Sequence, residues 1–411
     1  MNENEDTRGL MTAEEVAQRL NVKRATVYAY VSRGLLQRKT LAGIDGSLFD
    51  AMEVERLAGR SRKGRRPGRT TPTFRSAITT LHNDEFYYRG HRACRLARTE
   101  TFENVAHLLW LDRLDLGDGF VPNRQVAERL AHWGSLLPAE TLPFDRVRAF
   151  VPLAATLDPM RHDLNTASVV DRVPALMATL AAALASSEQR GTLPDTRFGF
   201  AQWLWSALCP ATPSESQLEV LNAALILTAD ADVMSPTTVA ARYAASVGSD
   251  IYSVIGAGMH SSGGAVQYAS SLAIESYLGT FDDRSIGEIV GERLRQRESI
   301  PGFGHPRFSK GDARAALILE KLAGAGFASD RVDKLSEFLE MQHKRGLPEP
   351  NIGFAISALA YVARMVRGSG DMIFAIGRTA GWAAHAIEQY NNEQPLPRPP
   401  SLYVGHPPMS D

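Results

Sequence analysis

Cysteine is scarce in this chain, and long apolar runs are missing. Only Cys94 and Cys209 occur among 411 residues, and they stand far apart. This spacing excludes a disulfide framework and a cysteine-based metal site, so we expect a reduced, cytoplasmic setting. The N-terminal residues MNENEDTRGL are acidic and polar, so no signal peptide is expected. The longest apolar run, around Ala175–Ala185, is too short to span a bilayer, so no membrane association is predicted.

An excess of charge of either sign is also missing. The formal net charge of −1 gives no overall attraction to nucleic acid or membranes. With 44% hydrophobic content, 411 residues suffice for two or three domains and a large core. Residues 60–72 combine charge, Gly and Pro without a hydrophobic period, which predicts a basic linker. The chain is locally basic over residues 53–69, which contain Arg56, Arg60, Arg62, Lys63, Arg65, Arg66 and Arg69.

Two short helices joined by a tight turn are predicted near the N-terminus. Thr12 followed by Glu15 forms a capping box, which predicts a helix that starts at Ala13. A second helix is predicted to begin near Arg24, with Gly34 placed to end it. This arrangement is typical of helix-turn-helix units that place their second helix in the major groove of DNA. A helical hairpin used for protein contact is the alternative.

The same segment resembles the MerR/excisionase type of helix-turn-helix. Residues 47–60 (SLFDAMEVERLAGR) are similar to the short strand and third helix of that type. The resemblance implies a small winged helix-turn-helix domain over residues 1–59 that binds duplex DNA, with the basic run contacting phosphates. The predicted DNA-binding residues are Lys23, Arg24, Thr26, Tyr28 and Arg33.

The rest of the chain carries helical patterns and almost no alternating strand patterns. The body is therefore predicted to be all-α, as one large bundle with a smaller bundle inserted. Its many apolar faces also suggest burial between subunits. Apolar residues recur at spacings of three and four in Phe102–Leu109, Ala175–Ala185, Leu218–Leu227, Ala240–Ala257, Ala315–Leu322, Val332–Met341 and Phe354–Val366.

The stretch Ile300–Phe308 places a glycine-rich loop directly before a titratable side chain. Gly302 and Gly304 tolerate positive φ, so the loop backbone can lie flat against a ligand. His305 follows, and Arg314, nine residues later, offers a planar charged fork suited to a carboxylate. This order predicts a pocket for an anionic substrate. A Pro/Gly turn with a surface histidine is the alternative.

Several ordered motifs between about residues 75 and 405 resemble the citrate synthase family. Such a series in the same order is a far more specific signal than one glycine-rich loop. The motifs are Phe86–His91, Phe102–Ala106, Asp158–Met160, Thr237–Arg242, Gly263–Ala265, Gly302–His305, Gly377–Trp382, Arg398–Pro399 and Tyr403–Gly405.

The resemblance implies an all-α homodimer. A large domain (residues 73–262 and 353–411) and a small domain (residues 263–352) would close over a 2-oxo acid and an acyl-CoA. An acyltransferase of this kind condenses acetyl- or propionyl-CoA with oxaloacetate, giving citrate or 2-methylcitrate, and converts the acyl group to an alkyl group on transfer. The family uses an aspartate as base and two histidines that hydrogen-bond the reacting oxygens. Acyl-CoA is then a co-substrate, with no permanently bound cofactor and no metal.

By this resemblance, the catalytic His305 is the histidine that polarises the ketone of the oxo acid. The carboxylate-binding residues are Arg314, Arg378 and Arg398, of which Arg398 would reach across the dimer interface. The loop that meets the adenine of coenzyme A consists of Pro301, Gly302, Phe303 and Gly304.

Three positions depart from the family pattern. Ser262 stands in place of the first histidine, Gly353 in place of the catalytic aspartate, and Ala229–Asp232 lacks a further histidine. A missing general base typically costs ~10²–10⁴-fold in rate and a missing oxyanion donor ~10²–10³-fold. His260, assigned to the substrate site, and Glu349 are candidates to replace the lost groups. The sequence therefore predicts an intact binding half and a weakened proton-abstraction half.

The sequence leaves three functions open. The first is a citrate synthase-like acyltransferase with an atypical catalytic site. The second is a catalytically impaired, citrate synthase-like sensor that regulates transcription, in which ligand-driven closure changes the spacing of two recognition helices in a dimer. The third is a subunit that pairs with an intact citrate synthase-like partner, which would supply the missing groups.

Overall fold

The computed structural model divides the chain into two compact units, residues 1–73 and residues 74–411. The predicted linker at residues 60–72 lies outside the described residues. The subdivision of the larger unit into large and small helical domains stays a prediction. The structure describes residues 10–20, 22–39, 46–51, 53–54, 57, 74–114, 119–185, 197–264, 271–305, 307–308, 311–392, 396 and 405.

The described part of the first unit holds two helices and a two-stranded antiparallel sheet. The predicted capping box is confirmed, because the Glu15 N–H donates to Thr12 Oγ1 at 3.3 Å and the Thr12 N–H donates to Glu15 Oε2 at 2.7 Å. The predicted helix starts at Ala13 and Arg24 are confirmed too. The elements are β1 (Leu10–Thr12), α1 (Ala13–Leu20), α2 (Arg24–Ser32) and β2 (Leu48–Asp50), followed by helical residues at 51, 53, 54 and 57.

A small hydrophobic core holds these elements together. Val16, Val27 and Phe49 are fully buried in it. Helix α2 ends before Gly34, which has a φ of +67°, and the Leu35 N–H returns to the Tyr30 carbonyl at 2.9 Å. The assignment of this unit as a winged helix-turn-helix stays a prediction.

The second unit is mostly helical, as predicted. Its strands are β3 (Thr79–His82), β4 (Glu85–Tyr88) and β5 (His91–Arg92). Its helices are α3 (Ala93–Thr99), α4 (Phe102–Leu111), α5 (Arg124–Gly134), α6 (Pro143–Thr156), α7 (Thr166–Leu184), α8 (Gly199–Leu208), α9 (Glu215–Thr228), α10 (Pro236–Ser246), α11 (Ile251–Ser262), α12 (Ser271–Gly279), α13 (Ile286–Gln296), α14 (Ala313–Gly324), α15 (Ser329–Lys344), α16 (Ile352–Val362) and α17 (Ser369–Tyr390), with a 3₁₀ turn at Thr280–Asp282.

The all-α prediction missed the three-stranded antiparallel sheet β3–β4–β5. Strands β3 and β4 are joined by Asn83 and Asp84, whose φ values are +51° and +62°. Positive φ at both central residues is the conformation of a type I′ hairpin turn. Strands β3 and β4 have only four residues each, so their alternation of apolar and polar side chains is too short to recognise. The fifteen α-helices in the described part of this unit give a much stronger periodic pattern.

The pattern over Ala240–Ala257, predicted as one helical segment, forms two helices. Helix α10 ends at Ser246 and α11 begins at Ile251. Gly248 breaks the helix with a φ of +75°, and the Asp250 side chain caps α11 by accepting the Ser253 N–H at 3.0 Å. The apolar period continues across this break because both helices pack on the same core.

Helix α17 runs through the core of the second unit. It approaches α9 so closely that a Cβ at Gly377 would lie 3.0 Å from the Leu225 carbonyl oxygen, and one at Gly381 would overlap the Ala229 carbonyl. Side-chain-free positions at this spacing let two helix backbones meet. The contact brings the end of α9 against the face of α17 that carries Arg378.

Within the described residues, α7 is the one helix long and apolar enough to cross a membrane. More than half of its apolar window is buried inside the protein. A buried core helix has the same composition, so this helix does not indicate a membrane protein.

Candidate functional site

The loop before His305 is held against the start of α16. The Asn351 N–H donates to the Gly302 carbonyl and the Gly304 N–H donates to the Glu349 carbonyl, each at 2.8 Å. Both glycines have positive φ, +83° and +75°. The Gly302 carbonyl and the Gly304 N–H are therefore paired internally, and the contact of this loop with coenzyme A stays a prediction.

The aromatic side chain of the loop points into the protein. Phe303 packs edge-on against Phe338 and Phe354, with ring centroids 5.8 and 5.0 Å away. Pro301, before it, is half-buried. Packing of this kind fixes the course of the loop, so His305 leaves it in a defined direction.

His305 is half-buried at the end of the loop. Its Nδ1 accepts the backbone N–H of Arg307 at 3.2 Å, and its ring lies 4.4 Å from that of Phe308. A neutral imidazole whose Nδ1 accepts carries its proton on Nε2. Burial lowers the pKa of His305, and the positive charge of Arg314 lowers it further. The neutral side chain is therefore a hydrogen-bond donor through Nε2.

Arg314, at the start of α14, is buried and ion-paired. Asp312 caps that helix and binds the guanidinium at two points, Nε–Oδ1 and Nη2–Oδ2, both at 2.9 Å. The rings of Phe86 and Phe308 cover the cation at 4.7 and 5.3 Å. Burial opposes the charge, but Asp312 outweighs this cost and raises the pKa of Arg314. Asp312 binds the Nε and Nη2 nitrogens of Arg314 and does not bind its Nη1 nitrogen.

Arg378, on α17, is buried without a carboxylate partner among the described residues. Its Nε donates to the Thr228 carbonyl at 2.7 Å, and the Phe374 ring lies 4.9 Å from the guanidinium carbon. Burial lowers the pKa of Arg378 more than the nearby charge of Asp230 raises it, and the positive charge of Arg314 adds to the lowering. Two buried guanidinium groups that repel each other form a site that favours an anion.

A buried polar chain lies beside Arg378. His385 Nδ1 accepts from Arg242 Nη1 at 3.0 Å, so its Nε2 donates to Asp230 Oδ2 at 3.1 Å. Burial disfavours the Asp230 charge, but the hydrogen bond from His385, the charge of Arg378 and the hydroxyl of Thr79 together outweigh this effect and lower the pKa of Asp230. Burial raises the pKa of Tyr88, beside Asp230, to about 12. The hydrogen bonds among these side chains therefore fix the positions of the charged and protonated groups that surround Arg378.

Sequence reasoning missed an ion pair at the same site. Arg307 Nη1 binds Asp232 Oδ2, joining the His305 loop to the segment between α9 and α10. Asp232 also acts electrostatically on Arg378. The available signal was the position of Arg307, two residues after His305, but its partner is 75 positions away.

A groove of about 770 Å³ borders the loop and is lined in part by Asp312, the partner of Arg314. Phe303, Leu319, Leu339 and Leu347 contribute apolar surface to it. Lys344 lines it too and pairs with Glu340 at 3.3 Å. Further carboxylates in the lining are those of Asp84, Glu85, Asp312 and Glu349. The groove has the volume and the mixed lining typical of a site for a drug-sized ligand.

Ser262 and Gly353, which depart from the family pattern, carry no titratable side chain, and the two candidate replacements, His260 and Glu349, are exposed. Ser262, the last residue of α11, donates back to the Met259 carbonyl at 2.7 Å. His260 is exposed, and its Nδ1 lies 2.7 Å from the Gly256 carbonyl of its own helix. Gly353 lies in the first turn of α16, where the side chain of Asn351 caps the helix. Glu349 is exposed, with Oε1 3.6 Å from His343 Nδ1.

Two further predictions concern Arg398 and metals. Arg398 lies outside the described residues. Across the described ranges, no three or more His, Cys, Asp or Glu side chains group as metal ligands. Among the described residues, the candidate site therefore comprises His305, Arg314 and Arg378, beside which the structure places Arg307 and Asp232.

Comparison with known sequences points to one family. The family model described as citrate synthase, C-terminal domain, matches residues 68–400. Citrate synthase 2 of Bacillus subtilis is 26% identical over 362 residues, covering 80% of this chain and 93% of that protein. The 2-methylcitrate synthase of Mycobacterium tuberculosis is 28% identical over 336 residues, covering 78% of this chain and 84% of that protein.

Solved structures agree on the fold. Citrate synthase from Thermotoga maritima superposes with a TM-score of 0.60 at 24% identity, covering 82% of this chain and 94% of that one. The Thermoplasma acidophilum citrate synthase, solved as a ternary complex with carboxymethyl coenzyme A and oxaloacetate, gives 0.64 at 19% identity, covering 82% and 95%. The family match spans most of the residues after the first unit. The chain belongs to the citrate synthase family.

Proposed function

We propose that this chain condenses the acyl group of acetyl- or propionyl-CoA with the ketone of oxaloacetate, forming citrate or 2-methylcitrate in an atypical site. The observation that carries the proposal is Arg378, a buried cation without a carboxylate partner among the described residues, beside the buried Arg314. A buried unpaired charge is costly, and a substrate carboxylate removes that cost. Family membership and the solved complex of a relative with oxaloacetate support the same substrate.

Each group has one proposed role. His305 donates from Nε2 to the ketone oxygen, which withdraws electrons from the carbon under attack. Arg314, through its Nη1 edge, and Arg378 bind the carboxylates of the oxo acid. In the proposed dimer, Arg398 of a second copy adds another cation.

The acyl-CoA occupies the groove beside Phe303. Its pantetheine arm lies on the apolar side chains of Leu319 and Leu339, and Lys344 is the cation for its phosphates. Acyl-CoA is a co-substrate rather than a bound cofactor. Its α-carbon loses a proton to water and bonds the ketone carbon, the ketone oxygen gains a proton to become a hydroxyl group, and water hydrolyses the thioester to release coenzyme A. Gly353 and Ser262 supply no base and no titratable donor, so we propose a slow reaction.

Release of free thiol tests the reaction directly. Purified protein is mixed with oxaloacetate and either acetyl- or propionyl-CoA, and the thiol is measured against His305→Ala as the inactive control. Release that depends on His305 supports condensation. Thermal stabilisation by the two ligands without any thiol release would contradict turnover and leave a ligand-binding protein.

A DNA-binding regulator is the second candidate function. One observation favours it: α2 buries Val27 while Lys23, Arg24, Tyr28 and Arg33 are exposed, so a basic surface is presented by a short, well-anchored helix. Contacts of such side chains with phosphates make affinity for duplex DNA salt-dependent. Arg24→Ala is expected to weaken binding and to reduce the salt slope by about one. Unchanged affinity and slope would show that this helix does not bind DNA.

Assembly belongs to the same proposal. A homodimer would complete the site with Arg398, whereas a heteromer with an intact citrate synthase-like subunit would supply the absent aspartate and histidine. Thiol release by the purified chain alone favours the homodimer. Release that requires an added intact relative, itself inactivated at its oxo-acid site, favours the heteromer.

A further inference from the structure

We propose that Arg307 and Asp232 are positioning residues for His305. This role rests on the proposed function of His305 as the donor to the ketone. Neither residue is assigned to contact the reacting atoms. Their task is to keep the imidazole in the tautomer and direction that the reaction needs.

Arg307 makes two bonds that act on the same loop. Its backbone N–H donates to His305 Nδ1 at 3.2 Å, and its side chain binds Asp232. The first bond selects the tautomer with the proton on Nε2. The second bond fastens the residue that makes the first. A side chain that anchors the peptide beside a histidine therefore controls the direction of the imidazole.

Asp232 is suited to be this anchor because it is itself fixed. Its Oδ1 accepts the Met234 N–H at 2.6 Å, and its carbonyl accepts the Ser235 N–H at 2.9 Å. This turn leads directly into α10, which begins at Pro236. Oδ2 is thereby aimed at Arg307 from a rigid element.

The exposure of the pair separates this role from a purely stabilising one. The Arg307 side chain is 42% exposed and that of Asp232 is 27% exposed. Ion pairs this open to water add little to folding stability. Loss of the pair should therefore leave unfolding nearly unchanged, while the geometry of His305 and the rate change.

Asp232 also has an electrostatic consequence. It neutralises the charge of Arg307, which otherwise adds to the positive charge of Arg314 beside His305. Its negative charge also favours the charged form of Arg378. Loss of the Asp232 charge would therefore make the surroundings of both His305 and Arg378 more positive.

The test uses the full chain labelled with ¹⁵N in its histidines. The spectrum of His305→Gln identifies the His305 signals among those of ten histidines. Arg307→Gln and Asp232→Asn each remove one partner without changing side-chain size much, and Arg307→Lys keeps the charge. Arg364→Gln, which breaks a similarly exposed pair with Asp330, is the control. Tautomer, kcat, KM for oxaloacetate and unfolding are measured for each.

Both neutral variants are expected to lose the single Nε2–H tautomer and to lower kcat roughly tenfold to a hundredfold, with little change in KM or unfolding. Arg307→Lys should recover most of both losses, and Arg364→Gln should change neither. An unaltered tautomer in Arg307→Gln and Asp232→Asn would overturn the proposal, as would a loss confined to KM. If the wild-type chain has no turnover, a tautomer change in these variants still upholds the positioning role while the proposed condensation fails.

Discussion

At the scale of single residues, the two buried arginines of the site differ in how their charge is compensated. Arg314 is paired with Asp312 at two points, whereas Arg378 contacts a carbonyl and an aromatic ring and is influenced by Asp230 and Asp232 without an ion pair to either. A paired buried charge is part of the folded protein, and an unpaired one is a binding site for an anion. The same substitution at the two positions should therefore have opposite effects.

Arg378→Gln is expected to weaken oxaloacetate binding by roughly 10-fold to 100-fold, the equivalent of one lost charge-assisted hydrogen bond. The ligand-free protein should be as stable as before or more so, because burial disfavours the Arg378 charge more than the nearby carboxylates favour it. Calorimetric titration and urea unfolding measure the two quantities. Arg314→Gln is the matched control, and it should destabilise the fold by about 3–5 kcal/mol because Asp312 is left buried without its partner. Equal destabilisation by both variants would contradict the distinction.

His305 predicts a pH dependence of stability. Its pKa in the folded protein lies below the ordinary value of 6.5, chiefly because of burial. Between these two pKa values the unfolded chain binds more protons, so the free energy of unfolding falls as the pH drops below about 6.5. Urea unfolding of wild type and His305→Gln between pH 5 and 8 measures this effect. The difference between the two proteins should be constant above pH 7 and shrink below it, and a constant difference throughout would refute the assignment.

Gly353→Asp is expected to raise the rate of thiol release by ~10²–10⁴-fold, because it supplies a general base at the proposed proton-abstraction position. The new Cβ would lie 3.3 Å from Asn351 Oδ1 and 3.6 Å from Ile274, so a side chain fits after a small shift. Gly353→Asn, equal in size but without charge, is the control. A similar gain in both variants would show that the carboxylate is not the cause.

At the scale of elements, the meeting of α9 and α17 positions the site. The Arg378 side chain leaves α17 where that helix touches the end of α9, and its Nε reaches the Thr228 carbonyl. Asp230, directly beyond α9, is fixed by His385 from the same face of α17. Gly377 and Gly381, which let the two helices approach this closely, are therefore needed to position the charged side chains.

Gly381→Ala is expected to destabilise the protein by about 1–3 kcal/mol. Its Cβ would overlap the Ala229 carbonyl and the buried Asp230 carboxylate, and neither can move without breaking the polar chain. Gly287→Ala, in α13 with nothing within 4 Å, should instead stabilise by about 0.5–1 kcal/mol. Chemical denaturation of both variants compares the two glycines. Equal changes of stability in the same direction would mean that the helix propensity of alanine, rather than close packing at Gly381, determines the effect.

At the scale of the whole molecule, each of the two units has its own hydrophobic core. The core of the first unit includes Val16, Val27 and Phe49, and that of the second includes Trp205 and Trp382. Separate cores allow separate folding. Two functions can therefore be tested independently on the two parts.

Removal of residues 1–73 is expected to leave residues 74–411 folded and still stabilised thermally by oxaloacetate, because the described oxo-acid site lies within that unit. Affinity for duplex DNA should disappear with the same deletion. Thermal melts with and without ligand, together with a DNA-binding titration, measure both effects. Loss of ligand stabilisation would show that the first unit is required by the second.

Local features of the chain were predicted from sequence because their causes are local. The helix starts at Ala13 and Arg24 follow from residues within one turn, and helical periodicity is visible along a single segment. The break at Gly248 and the short hairpin at Asn83 were missed. A continuous apolar period masked the first feature, and the second offers only four residues to a strand.

The sequence by itself determined the helical architecture, the order of the motifs and therefore the family, since each is a pattern of residue types along the chain. It also placed His305, Arg314 and Arg378 together as candidates. Only the tertiary structure decided how distant charges meet: Arg307 pairs with Asp232, and His385 hydrogen-bonds Asp230. Arg378 has no ion pair with a carboxylate of the described residues, whereas Arg314 pairs with Asp312, its neighbour in sequence. Compensation depends on distances of a few ångströms between residues that are up to 155 positions apart, as in Asp230 and His385, and no local pattern encodes such distances.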